Sequence, residues 1–155
     1  MSHVDVMEVD CSDLDVVEAA IKRLHPGAEL RRNQKTYAWW GHSIGDYPIP
    51  DGFTEKDLGK CDHAIRIPGC AYEIGIVKHP KTGQYVFIAD FFQTGSLKRI
   101  CGAHGNLLKQ AYTVEKTTKA AKAKGFKVKE TKRSKLRRFL SRDKQSLGIQ
   151  LKITR

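Results

Sequence analysis

The run Tyr85-Val86-Phe87-Ile88-Ala89 follows a strong turn signal, Lys81-Thr82-Gly83, and offers no polar face. Five apolar positions in a row are too few for a membrane span and match a strand covered on both sides, so the run predicts a central strand. The rest of the chain offers further elements around it.

The segments before it supply candidates. Val4 to Val9 alternates valines with acidic residues and reads as a short half-buried strand. Ser12-Asp13-Leu14-Asp15 carries a capping residue and early acids. It is followed by Val16, Val17, Ala20, Ile21 and Leu24 at helical spacing, until His25-Pro26-Gly27 stops the helix. Ala28 to Arg32 and Thr36 to Trp40 read as two strands of a hairpin joined through Asn33-Gln34-Lys35. Residues 43–60 are rich in Gly and Pro with little periodicity, a long excursion within one domain. Ala64 to Ile67 and Ala71 to Val77 continue as a meander.

After the central run, residues 107–124 suit a helix that Gly125 ends, with Lys116, Lys119 and Lys122 on its wet side. Phe126 to Glu130 and Leu147 to Thr154 alternate as strands on either side of a basic arm, residues 131–146. The expected fold class is α+β: an antiparallel sheet of about six to eight strands covered by two helices, in a single domain spanning 1–155. The order strand, helix, strand, strand occurs twice and allows a pseudo-repeat. With no apolar run near the roughly 18 to 20 residues of a span and no leader-like start, the expected location is cytoplasmic.

Several motifs together carry a resemblance. They are Met1-Ser2-His3 ahead of Ser12-Asp13-Leu14-Asp15, then Cys61-Asp62-His63-Ala64-Ile65-Arg66, Tyr72-Glu73-Ile74-Gly75, Tyr85 to Phe91 with Ala89-Asp90, Ala111-Tyr112, and Gly125-Phe126. In this order the chain resembles the plastid open-reading-frame family of conserved hypothetical proteins, also met in cyanobacterial and phage-like contexts. That family is a domain of unknown function, so the resemblance implies a shared fold and no catalytic residues. The chain departs from the family pattern in the longer 43–60 excursion and in the basic arm, which replaces a short, often acidic connection.

Charge is the strongest functional signal. Residues 1–108 hold 12 Lys/Arg and 14 Asp/Glu, whereas residues 109–155 hold 16 and 3, so the net +11 belongs to the C-terminal third. Lys116, Lys119, Lys122, Lys127, Lys129, Lys132, Arg133, Lys135, Arg137, Arg138, Arg142 and Lys144 are the candidate contacts to phosphates. The favoured reading is a non-enzymatic module that binds nucleic acid, RNA in particular, or another polyanion through this helix and arm. The alternatives are an assembly subunit that binds an acidic protein, through the arm and the 43–60 excursion, and a thiol or zinc enzyme.

The third alternative rests on Cys61-x-His63 and Cys101-x-x-His104, which offer the ligand types of a tetrahedral zinc site. If Cys61 and His63 share a strand, they point to one face. No Cys-x-x-Cys knuckle supports them, the resembling family more often has apolar residues at these two positions, and ordinary packing is the simpler reading. No cofactor is expected. Asp62, Glu73 and Asp90 allow a carboxylate cluster on neighbouring strands, against the plainer reading that Asp90 closes a strand and Glu73 faces water. Trp39-Trp40 with Tyr37, Tyr47 and Phe53 offers rings for stacking on bases, or for closing a small core and holding down the long loop. No phosphate-binding glycine loop or other enzyme signature is present.

Overall fold

The computed structural model describes residues 3–41, 47–92, 95–132 and 147–155. The central strand expected at 85–89 is Tyr85–Asp90, with its last five residues buried. It is one of five antiparallel strands: β1 (Val4–Met7), β2 (Glu29–Arg32), β3 (His63–Arg66), β4 (Ile74–Lys78) and β5 (Tyr85–Asp90). Their order across the sheet is β1-β5-β4-β3-β2, which places the apolar β4 and β5 inside and the charged β2 at an edge.

Both faces of this sheet are covered, by different means. On one face Met7, Ile65, Ile74, Ile76, Phe87 and Ala89 form a core with the helices. These are α1 (Leu14–Leu24), α2 (Leu97–Cys101) and α3 (Asn106–Ala123). α1 contributes Val16, Val17, Ala20 and Ile21, and the Asp13 carboxylate accepts from the Val16 amide to cap it. α3 contributes Leu108, Ala111 and Tyr112, whose ring meets Phe87 edge-on with centroids 5.9 Å apart. On the other face Val4, Ala64, Val77, Val86 and Ile88 pack under Tyr37, Leu58 and Cys61, with Trp39 and Phe53 at the margin. The described part of the long excursion, residues 47–60, is therefore a cover for the sheet.

The remaining strands, β6 (Lys127–Lys132) and β7 (Ile149–Thr154), pair only with one another. The architecture is thus α+β as expected, but the single sheet of six to eight strands is replaced by a five-stranded sheet and a separate two-stranded ribbon. Three helices are described, α2 being a short one that the sequence pattern does not announce. The two strand-helix-strand-strand runs occupy unlike places, since β2 joins the large sheet while β6 and β7 form the ribbon. No described helix is long and apolar enough to cross a membrane.

The hairpin expected between residues 28–32 and 36–40 does not form. β2 pairs instead with β3, Glu29 opposite Arg66 and Arg32 opposite His63. Asn33 turns the chain with φ +61°, and the next segment crosses to the other face, where the Tyr37 amide donates to Gly59 O and the Cys61 amide to Lys35 O. The alternation in Tyr37-Ala38-Trp39-Trp40 is real, with Tyr37 buried and Trp40 40% exposed, but it arises from covering a sheet face and not from a local partner.

Tyr37 fits because β4 has a glycine beneath it. A Cβ on Gly75 would lie 2.6 Å from Tyr37 Cδ1 and 3.0 Å from Ile88 Cγ2, inside contact distance. Overpacking of this kind costs about 1 to 3 kcal/mol. Gly75→Ala is therefore expected to lower the unfolding free energy by that amount, read as a fall in the urea midpoint at unchanged m-value, and an unchanged midpoint would show that the Tyr37 layer is loose.

Candidate nucleic-acid interface

The ribbon begins where α3 ends. Gly125, at φ +81°, allows its own amide to donate to Lys122 O and the Phe126 amide to Ala121 O, the two bonds of a Schellman motif. The chain leaves the helix reversed, and Lys127–Lys132 runs back along α3. Register then sorts the side chains. Val128, Glu130 and Lys132 stand opposite Ile153, Leu151 and Ile149, while Lys127, Lys129 and Thr131 stand opposite Thr154, Lys152 and Gln150. Directly opposed residues share a face, so one face is mainly apolar with Glu130 among it, and the other carries three lysines and no acid.

The first face is turned to the helices. A two-stranded ribbon is marginal alone and needs such support. Arg23 of α1 provides the polar part: its Nη2 and Nη1 donate to the two Glu130 oxygens at 2.7 and 3.0 Å, and its Nε donates to Glu115 Oε1 of α3 at 2.9 Å. The fork holds the Glu130 carboxyl below its usual range. Leu147, just before β7, donates its amide to Gln110 Oε1 and packs against the main core.

The second face is open to solvent, with all six of its residues exposed. Lys129 and Lys152 face one another across the ladder with Lys127 beside them, and no described carboxylate pairs with any of the three. Like charges placed opposite are unfavourable unless something negative lies over them.

The lysines of α3 are placed differently. Lys119 Nζ lies 2.6 Å from Asp13 Oδ2, and this contact draws the Asp13 carboxyl below its usual range. Lys116 Nζ lies 3.9 Å from Asp10 Oδ2 and over the Tyr112 ring. The acidic start of α1 thus neutralises two of the three helix lysines expected to contact phosphate, while Lys122 has no ion pair among the described residues. Lys132 closes the ribbon on its helix-facing side. Arg133, Lys135, Arg137, Arg138, Arg142 and Lys144 lie outside the described residues, and the first two residues of the expected arm, Thr131 and Lys132, belong to β6. Arg31, Arg32 and Lys35, close in sequence to the tryptophans, sit near acids: Arg31 near Glu29 and Glu73, Arg32 on Asp15, and Lys35 4.0 Å from Asp62.

The proposed zinc ligands do not converge. Cys61 is buried beneath Tyr37 on the second face of the sheet and donates to Gln34 O at 3.1 Å, whereas Cys101 is in the helix-side core. His63 alternates with Ile65 onto the helix side, so Cys61 and His63 do not share a face. Burial pushes the Cys11, Cys61 and Cys101 thiols up to about 12, leaving them protonated and poor nucleophiles at neutral pH. Among the described residues no group of three or more His, Cys, Asp and Glu side chains can hold a metal ion. The carboxylates are also dispersed: Glu73 accepts from Gln34 and the Ala38 amide and so anchors that loop, while buried Asp90 accepts from the His3, Trp40 and Phe92 amides.

One polar constellation escapes the sequence reading. His104 takes a left-handed conformation, φ +51° and ψ +24°, in the turn between α2 and α3, and its Nδ1 lies 2.7 Å from Asp5 Oδ2 on β1. Tyr47 donates to the other oxygen of Asp5 at 3.0 Å and stacks on His3 at 4.6 Å. These contacts fasten the edge strand to the helix layer and to the long loop. The only signal in the sequence is a histidine between glycines at 102 and 105, which does not name a partner.

A depressed Glu130 pKa means that the ribbon contact contributes stability above the unfolded carboxyl value and loses it as pH falls through the folded value. NMR signals of Val128, Leu151 and Ile153 are therefore expected to move toward random-coil positions below about pH 4. Arg23→Gln should produce the same shift at neutral pH, with a loss of about 1 to 2 kcal/mol for this partly exposed pair. Signals that stay fixed in both experiments would show that apolar packing alone seats the ribbon. The chain matches no protein-family model, no curated protein and no solved structure.

Proposed function

We propose that this protein is a nucleic-acid-binding module, RNA being the favoured ligand, whose phosphate-contacting surface is the solvent face of the β6–β7 ribbon. The observation that carries the reading is the opposed pair Lys129 and Lys152 with Lys127 beside it, exposed and without a described acidic partner. Phosphates placed over this face relieve the repulsion and release counterions, which gives affinity without base readout.

The sequence extends the same charge. The connection between β6 and β7 contributes Arg133, Lys135, Arg137, Arg138, Arg142 and Lys144 against a single acid, Asp143, and both of its ends join the ribbon. Lys122 and Lys132 lie on the helix-facing side, where both act on the Glu130 carboxylate, and add to the positive field of the ribbon from behind. Lys116 and Lys119 contribute less than their sequence positions imply, because Asp10 and Asp13 already hold them. The zinc reading draws no support from the fold, in which Cys61 lies on one face of the sheet and Cys101 in the core on the other.

The test is binding of fluorescent single-stranded RNA over a salt series, beside Lys127→Gln/Lys129→Gln/Lys152→Gln. Each lost single-strand phosphate contact lowers the slope of log K against log salt by about 0.7, so the triple variant should bind more weakly and show a slope smaller by about 2. Equal affinity and slope in the two proteins would place binding elsewhere. Failure of the parent to bind at low salt would reject the function.

A further inference from the structure

Beside the ribbon, α3 and β7 leave a groove of about 440 Å³, floored by Ala120, Ala121, Phe126 and Ile153 and flanked by Lys116 and Lys124. We infer that this groove is a stacking subsite for an unpaired nucleobase, so that the ligand of the basic ribbon is single-stranded. The inference rests on the nucleic-acid reading and deepens it.

Three observations carry it. The groove is apolar where a base would lie and cationic at its rim, where Lys116 and Lys124 line it, and Lys124 has no ion pair among the described residues. Its size is within the range of about 300 to 1,000 Å³ that small-molecule pockets occupy. Phe126 is also held in place before any ligand arrives: its amide is bonded to Ala121 O in the Schellman motif, so the backbone that carries the ring is fixed by the helix end. A ring on fixed backbone loses little freedom on binding.

Ile153, which lines the groove with Phe126, is 43% exposed, one of the few large apolar side chains in solvent among the described residues. A duplex keeps its bases stacked inside and has no ring to offer this slot. An unpaired strand has one at every nucleotide, and aromatic side chains accept any base because every base has a π-face.

The experiment compares four probes on the full chain: a single-stranded RNA, a duplex of equal length, an abasic phosphodiester strand, and heparin as an anion without bases. The parent, Phe126→Ala and Phe126→Leu are measured, with circular dichroism confirming that each variant is folded. Phe126→Leu keeps the apolar contact and removes the aromatic face. The expected result is a preference for the single strand over the duplex and abasic strand, upfield shifts of base protons in the parent complex, and a roughly tenfold loss of single-strand affinity in both variants, with heparin binding unchanged. Equal binding of all four probes, or a single-strand affinity that survives both substitutions, overturns the stacking subsite while leaving the basic ribbon in place. Loss of every probe, heparin included, in the parent overturns both.

Discussion

Arg23 is the residue at which three elements meet. Projecting from α1, it bridges Glu115 of α3 and Glu130 of β6. Its side chain is 22% exposed against 38% for Glu130, so the pair is partly screened by solvent, and its strength lies in the fork geometry, which fixes direction as well as distance. A two-stranded ribbon has no second layer of its own. It depends on this clamp and on the apolar column of Val128, Ile149 and Leu151 for its position, and the lysines on its far face depend on the ribbon. Removing the guanidinium would also leave Glu115 and Glu130 without the cation they share.

The arrangement divides the positive charge of the C-terminal third by use. Where α3 passes the start of α1, the lysines meet Asp10 and Asp13 and serve to join two helices. Where the chain turns back at Gly125, the lysines face solvent in an opposed pair that nothing described neutralises. Charge counted along the sequence does not separate these groups, because the acids that neutralise Lys116 and Lys119 lie more than a hundred residues away. The same principle governs the arginines at 31 and 32, which look like free cations in sequence and are occupied in the fold.

Periodic elements were legible from the residues. The helix expected at 107–124 is Asn106–Ala123, and the run at 85–89 is an interior strand, because a long amphipathic pattern and a continuous apolar stretch each have few structural solutions. Pairing was not legible in the same way. Thr36 to Trp40 alternates like a strand, yet its contacts are with residues 58–61 and with the sheet beneath, so proximity in sequence pointed to the wrong neighbour. The Cys/His set failed for the same reason: spacing brings Cys61 and His63 close along the chain, but the path between them crosses from one sheet face to the other. Asp5 and His104 meet only because Asp5 lies on an edge strand under the α2–α3 turn, a relation no local pattern encodes.

The central question is whether the solvent face of the ribbon is the surface that meets nucleic acid. A titration of isotope-labelled protein with a short single-stranded RNA, followed by NMR at each backbone amide and lysine side chain, addresses this directly. Perturbations are expected to gather on Lys127, Lys129 and Lys152, with Arg31, Arg32 and Lys35, which lie near acids of the body, unmoved. Perturbations that gather instead around His3, Trp40 and Tyr47 and leave the ribbon untouched would contradict this reading.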